Sequence, residues 1–389
     1  MEIYLISFIL SCTLLWISNK IRNNRELKFL INGIAILIPC VIAGLRNTVI
    51  GTDVEVYVKQ LFDSAKISSN YSEYLNCSWW WIYRVKYVSD FEGGFTFLVY
   101  LIVKLTNNIQ WVLFFIQLLI MIPIYFGLKK IDGIGNKIYL AILIFYFSFY
   151  NIGLNTMRQY IAIAFIFYGT CCLMYDHRGA IKFFCSLILA FLFHNSSIFC
   201  VLIFLIYKLL NRKYKKDIVI KINSNTKIKL KSIIVISSVF LSIFLVLNAN
   251  FFIKIFAILG IKDYSGWAEG EVTLMWSKIM RIIPILIIFL GTGKYYIKND
   301  SNSYMYIILF VMSVAFSQFA SVTQYGERMS YMFQIFNIVS IPSLCYSHPN
   351  KTIRKGMIIF IVCYYIIYWY YYFVFGNSGE TVPYKFYWQ

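Results

Sequence analysis

Four arginines stand against apolar sequence where a bilayer protein ordinarily avoids charge: Arg46, Arg158, Arg281 and Arg328. An arginine at the centre of a membrane helix costs about 2.5–3.5 kcal/mol even on permissive scales, so it lines a polar cavity, pairs with a carboxylate, or snorkels to the headgroups. Four on one membrane face favour the cavity. The guanidinium keeps its charge and offers two parallel donors, a geometry that suits phosphate. An outward-facing, arginine-lined cavity between helices would take a lipid-linked phosphate or pyrophosphate whose tail stays in the bilayer.

A transfer reaction there would also need a proton acceptor. Of the three histidines, His177 and His348 fall in basic loops, and only His194 falls near the arginines' face, with a titration range that suits proton transfer. A lone histidine at a helix turn is as readily structural. Asp53, Glu92 and Glu327 are its rivals, with Asp53 second in rank, and Glu327 could simply neutralise Arg328. Neither a phosphate-binding glycine loop, a dinucleotide fingerprint nor a metal-ligand cluster is readable, so no metal and no cofactor are expected. Nine cysteines are scattered without a CxxC pair, and only Cys77 falls in a plausible outer loop.

The elements that would hold these residues are membrane helices. The chain has 389 residues, 60% hydrophobic and 14% charged, with mean hydropathy +0.68. A soluble globule is nearer half apolar and a quarter charged. The apolar runs are uniform rather than alternating, which selects helices over a barrel. About twelve spans are expected: 2–18, 29–45, 109–128, 137–155, 158–175, 181–194, 196–210, 232–250, 279–294, 303–322, 330–346 and 357–375. The apolar stretch 93–105 is too short to cross and is placed as an interfacial or re-entrant helix on the outer side. The first run, lacking a basic stretch before it, reads as an uncleaved span.

Charge distribution orients the chain. The loops 19–28, 129–137, 176–182, 208–231, 294–300 and 347–356 hold 23 Lys/Arg and 5 Asp/Glu, net +18 of the total +19. By the positive-inside rule these loops are cytoplasmic, which puts both termini outside. The most basic loop, 208–231, would lie on anionic headgroups, so membrane lipids rather than nucleic acid account for the charge. The whole chain, 1–389, reads as a single transmembrane domain. Its large outer loop 46–108 carries the interfacial helix, and a second outer loop spans 251–278. Trp79–Trp81 and the run Tyr364–Tyr372 sit near interfaces, where amphipathic rings anchor, with sugar stacking a second reading for Trp79, Trp80 or Trp81.

Within the first outer loop the sequence runs Gly44-Leu45-Arg46, then Gly51-Thr52-Asp53, then Tyr57. Gly51 permits a tight turn, and Thr52 and Asp53 can cap the helix that follows. Glu92-Gly93-Gly94-Phe95 opens the interfacial helix, where Glu92 could complement the helix dipole or act as an acid or base. Gly44 through Tyr57 resembles the Arg-x4-Gly-Thr-Asp-x3-Tyr signature of the EpsG/Wzy family of polysaccharide polymerases, and Glu92-Gly93-Gly94-Phe95 is similar to its Glu-x-Gly-aromatic start. Asn155-Thr156-Met157-Arg158-Gln159-Tyr160-Ile161-Ala162 resembles its Arg-Gln-x2-Ala span. Phe193-His194-Asn195-Ser196 is similar to its Phe-His-x-Ser element, and Arg328-Met329-Ser330-Tyr331 to its late Arg-x2-Tyr element. The likeness runs in order from about residue 30 to 345.

The resemblance implies an all-α, polytopic membrane glycosyltransferase, similar to the GT-C-like enzymes, in a bacterial inner membrane with its active site facing the periplasm. It would polymerise undecaprenyl-pyrophosphate-linked repeat units into O-antigen or a related surface polysaccharide, with lipid-linked glycans as donor and acceptor. A chain-length regulator is a partner implied by resemblance alone. Arg46, Arg158, Arg328 and Arg281 would bind pyrophosphate, with Asn155, Gln159 and Tyr57 as weaker substrate contacts. A flippase or exporter of the same lipid-linked units, or an O-antigen ligase, is the alternative. A flippase usually shows two repeated halves with charges on both faces, and no such repeat is readable.

Overall fold

The computed structural model describes residues 1–21, 23–131, 137–211, 219–223, 226–248, 275–300, 302–321 and 327–389. Most of the expected outer loop 251–278 lies outside the described residues, as does part of the basic loop 208–231. Among the described residues, eight helices are long and apolar enough to cross a bilayer. They are α1 (Glu2–Lys20), α2 (Arg25–Leu45), α6 (Ile109–Lys130), α7 (Ile138–Asn155), α8 (Met157–Tyr175), α12 (Lys278–Asn299), α13 (Ser303–Ser321) and α16 (Lys351–Phe375).

Eight of the twelve expected spans are thus matched by length. The sixth and seventh are the shorter α9 (Gly179–Phe193) and α10 (Asn195–Leu210). The eighth is α11 (Leu230–Leu247), and the eleventh is divided into α14 (Glu327–Gln334) and α15 (Asn337–Ser347). The expected outer loop 46–108 is not bare coil. It holds α3 (Lys59–Ile67), α4 (Tyr71–Asn76), a hairpin of β1 (Ser78–Trp81) with β2 (Arg84–Tyr87), and α5 (Gly93–Thr106). At 14 residues α5 is ~21 Å long, too short for a ~30 Å core.

Contacts divide the chain into two compact units: Met1–Val201 with Val362–Gln389, and Leu202–Ile361. In the first, α8 packs on α6 and α9, α1 packs on α2, and α2 packs on α6. The most enclosed spans are α7 and α8, 83% and 78% buried against 39% for α1 and α2. They meet at Thr156, whose ψ of 55° stops one helix and starts the next.

Polar groups buried around α7 are paired across helices. Pro39 lies inside α2 and has no N–H, so it leaves the carbonyl of Ala35 without its helical donor. Ser11 on α1 supplies that donor at 2.7 Å and also meets the Tyr146 hydroxyl at 2.7 Å. The Tyr150 hydroxyl donates to the Pro39 carbonyl at 2.7 Å. Asn151 accepts from Trp369 Nε1 at 2.8 Å and donates to Thr381 Oγ1 at 2.9 Å.

Past α16 the chain turns back as a strap. Gly51 N–H donates to the Glu380 carbonyl at 3.1 Å, Asn47 N–H to Lys385 at 2.9 Å, and Tyr387 N–H to Leu45 at 2.9 Å. The Tyr4 hydroxyl donates to the Thr381 carbonyl at 2.9 Å, so both ends of the chain and the Gly44–Tyr57 loop share one end of this unit. Trp369→Phe keeps an aromatic ring but trims the buried indole and removes the donor to Asn151. It should cost about 1–3 kcal/mol, read as a melting temperature lowered by a few degrees in detergent.

Candidate functional site

The break at Thr156 begins a new helix, α8, and Arg158 is its second residue, between the buried Met157 and Gln159. Its guanidinium carbon lies 4.7 Å from the Tyr57 ring centre and 4.9 Å from that of Phe91. Those two rings are only 5.2 Å apart, so both lie on the same side of the cation as a seat rather than a sandwich. Such contacts are worth about 0.5–2 kcal/mol each, depending on how dry they are.

Arg158 Nη1 donates to Glu92 Oε2, and the other carboxylate oxygen faces His194 Nδ1 at 3.4 Å. Glu92, Arg158 and His194 therefore form one cluster with the carboxylate in the middle. Their side chains are 9%, 22% and 27% exposed, so the acid is enclosed while the two bases reach the surface. Burial pushes the Glu92 carboxyl up, but the neighbouring His194 imidazole and Arg158 guanidinium outweigh it and hold it at about 2. Glu92 is the residue before α5, and its side chain makes no capping bond, because it is turned to these partners instead.

Glycine makes the approach possible. A Cβ on Gly94 would stand 2.7 Å from the Leu192 carbonyl oxygen and 2.9 Å from Leu192 Cβ, a collision with the turn of α9 that precedes His194. The start of α5 can press against the end of α9 only without a side chain there, and that contact brings Glu92 to His194.

The Gly44–Tyr57 loop closes the other side. Gly51 has φ +87°, the left-handed region that glycine favours, and a Cβ there would stand 3.3 Å from the Leu154 carbonyl oxygen. Asn155 Oδ1 accepts the Asp53 N–H at 2.9 Å, which makes Asn155 a clasp on this loop. The expected capping by Thr52 and Asp53 is corrected. Asp53 makes no cap bond because it already has helical dihedrals, and its carboxylate accepts from the Tyr57 hydroxyl at 3.0 Å. The Thr52 hydroxyl donates to Glu380 of the strap. Burial, then the Asp53 charge, push the Tyr57 phenol up, so it remains a donor.

Arg46 is more enclosed than its place at a helix end suggested. It is 1% exposed, among Tyr4, Tyr150, Tyr384 and Tyr57. One nitrogen approaches Met157 Sδ at 3.4 Å, while its Nε and Nη1 make no hydrogen bond. It lies beneath the start of α8 rather than on an open wall. Gln159, the next residue after Arg158, is buried at 5% exposure.

Arg281, Glu327 and Arg328 belong to the second unit. There Glu327 accepts from Arg281 Nη1 at 2.7 Å and from Lys278 Nζ, so it neutralises a different pair from its chain neighbour. Among the described residues, no group of three or more His, Cys, Asp or Glu could hold a metal. The sequence reading did not single out Phe91, half of the seat of Arg158, although its position directly before Glu92 was a usable signal.

The arrangement can bind an anion at a helix start, where backbone donors and dipole add to Arg158, and can pass a proton to an imidazole backed by a carboxylate. The sequence profile of the EpsG family matches residues 29–386. No curated protein and no solved structure matches the chain. Because the folded Glu92 carboxyl lies below its ordinary value of 4.5, its contacts stabilise the fold fully above that pH and are lost as pH falls through about 2. The melting temperature of the wild type should therefore fall between about pH 4.5 and 2, whereas Glu92→Gln should start lower at pH 7 and show a flatter profile in that window.

Proposed function

The chain belongs to the EpsG family, and on that premise we propose that it lengthens a surface polysaccharide by glycosyl transfer between lipid-linked repeat units. Family membership carries the class, polysaccharide polymerisation in a membrane. The placement of Arg158 at the start of α8, beside the Glu92–His194 pair, carries the chemistry.

In this reading the donor glycan is bonded at its anomeric carbon to undecaprenyl pyrophosphate, and the site faces the periplasm. The acceptor is the terminal sugar hydroxyl of another lipid-linked unit. The anomeric C–O bond to pyrophosphate breaks and a glycosidic bond forms. The acceptor proton passes to a base, and undecaprenyl pyrophosphate departs with the bonding electrons. Charge builds on the departing diphosphate, where Arg158 and the first N–H groups of α8 stabilise it. Arg46 adds its charge from beneath, at the Met157 end of the same helix.

His194 is the proposed base, with Glu92 as its orienting partner. A carboxylate held near 2 has little proton affinity of its own, but facing His194 Nδ1 at 3.4 Å it would stabilise the imidazolium that forms. Asp53 is the second choice and is engaged with Tyr57. The proposal rests on residues of the first unit alone.

Arg158→Lys keeps the charge but loses the fork, and should lower polymerisation roughly 10²-fold. The measurement is the ladder of surface lipopolysaccharide or capsule from a deletion strain complemented with each variant. A strain carrying no copy should retain glycan one repeat long. Loss of even that single unit would instead indicate a transport or ligation step and overturn the reading. Normal chain lengths from well-expressed Arg158→Lys or His194→Gln protein would remove that residue from the mechanism.

A further inference from the structure

The β1–β2 hairpin stands against the Arg158 seat. Its register places Trp79 opposite Lys86 and Trp81 opposite Arg84. Opposed residues share a face of a hairpin, as do residues two apart, so Trp79, Trp81, Arg84 and Lys86 lie together. Trp80 points the other way and is 74% exposed. The shared face adjoins the site: the Trp79 ring lies parallel to Phe91 at 5.8 Å, and Phe91 is one of the two rings under Arg158.

Two donors here have no hydrogen-bond partner although their atoms are buried, Trp79 Nε1 and Arg158 Nε. A buried donor left unpaired costs ~1–3 kcal/mol, so gathering two of them suits a ligand rich in acceptor oxygens. Lys86 supplies charge beside them, with its Nζ 5.6 Å from the Trp81 ring centre. Burial pushes the Lys86 amine down. Arg84 and Arg158 push the same way, against Asp53 and Asp90, which places Lys86 within electrostatic reach of Arg158.

We propose that this hairpin face is the second half of an anion site, in which Lys86 and the Trp79 indole N–H hold one phosphate of a lipid-linked diphosphate while Arg158 holds the other. The inference rests on the phosphate-binding role of Arg158 proposed above. It adds an element that the four arginines do not include, and it would favour a diphosphate over a monophosphate.

Calorimetric titration of the purified full-length protein in detergent tests it, with inorganic pyrophosphate, inorganic phosphate and farnesyl pyrophosphate as probes. Lys86→Gln and Trp79→Phe should each weaken pyrophosphate binding about tenfold, the equivalent of one charge-assisted hydrogen bond, and leave phosphate binding nearly unchanged. Lys86→Arg should restore the affinity, and Lys66→Gln on α3 is the control for a general loss of positive charge. Unchanged pyrophosphate affinity in both hairpin variants, with binding lost in Arg158→Gln, overturns this inference and leaves the reading of Arg158 intact. Unchanged affinity in Arg158→Gln as well, or no binding by the wild type, overturns both. Farnesyl pyrophosphate should bind more tightly than inorganic pyrophosphate, and equal affinity would overturn the lipid-linked assignment.

Discussion

A single carboxylate, Glu92, is held between a guanidinium and an imidazole, and much of the first unit is arranged to keep it there. Removing one partner of a buried ion pair typically costs ~3–5 kcal/mol, because the remaining charge is left without compensation in a poor solvent. The cluster therefore constrains its supports as strongly as they constrain it. α5 must start beside the end of α9, which Gly94 permits, and α8 must start where α7 breaks. The Tyr57 and Phe91 rings must lie under Arg158 from the other side. Both carboxylate oxygens are turned to these partners, and the Arg158 and His194 side chains stay 22% and 27% exposed.

The supports form a second layer. Asn155 holds the loop that carries Asp53 and Tyr57, and the strap after α16 holds the same loop through Gly51, Thr52 and Asn47. Beneath them, Arg46 is a cation among phenols. A guanidinium surrounded by rings and hydroxyls rather than carboxylates keeps its positive potential available at the start of α8. That is the end of the helix where an anion is already favoured.

Sequence made the residue types of the cluster legible, because charge in apolar surroundings is conspicuous, and Arg158, Glu92 and His194 all stood out on that ground. Their pairing was not legible. Arg158 and Glu92 are 66 residues apart, and nothing local to either names the other. Helix positions followed from hydropathy, whereas the division of the eleventh apolar run at Ile335 and Phe336 did not, since both residues are apolar and continue the pattern. The strap is not legible because three of its hydrogen bonds join main chain to main chain, whatever the side chains, and its side-chain bonds reach residues more than 200 positions away. The hairpin escaped for another reason: three consecutive tryptophans hide the alternation that marks a strand with one buried face.

The strap also sets a timetable for the ribosome. Thr52 and Glu380 are 328 residues apart, and the second unit lies between them in the chain. At ~5–20 residues per second, the loop waits roughly 15–65 s before the segment that fastens it has been synthesised. During that interval α1, α2, α6, α7, α8 and α9 are all available to pack, but the cluster they surround has one wall unsecured. Fastening of the loop beside the Glu92 cluster is thus a late event in biogenesis, after the intervening helices have been made.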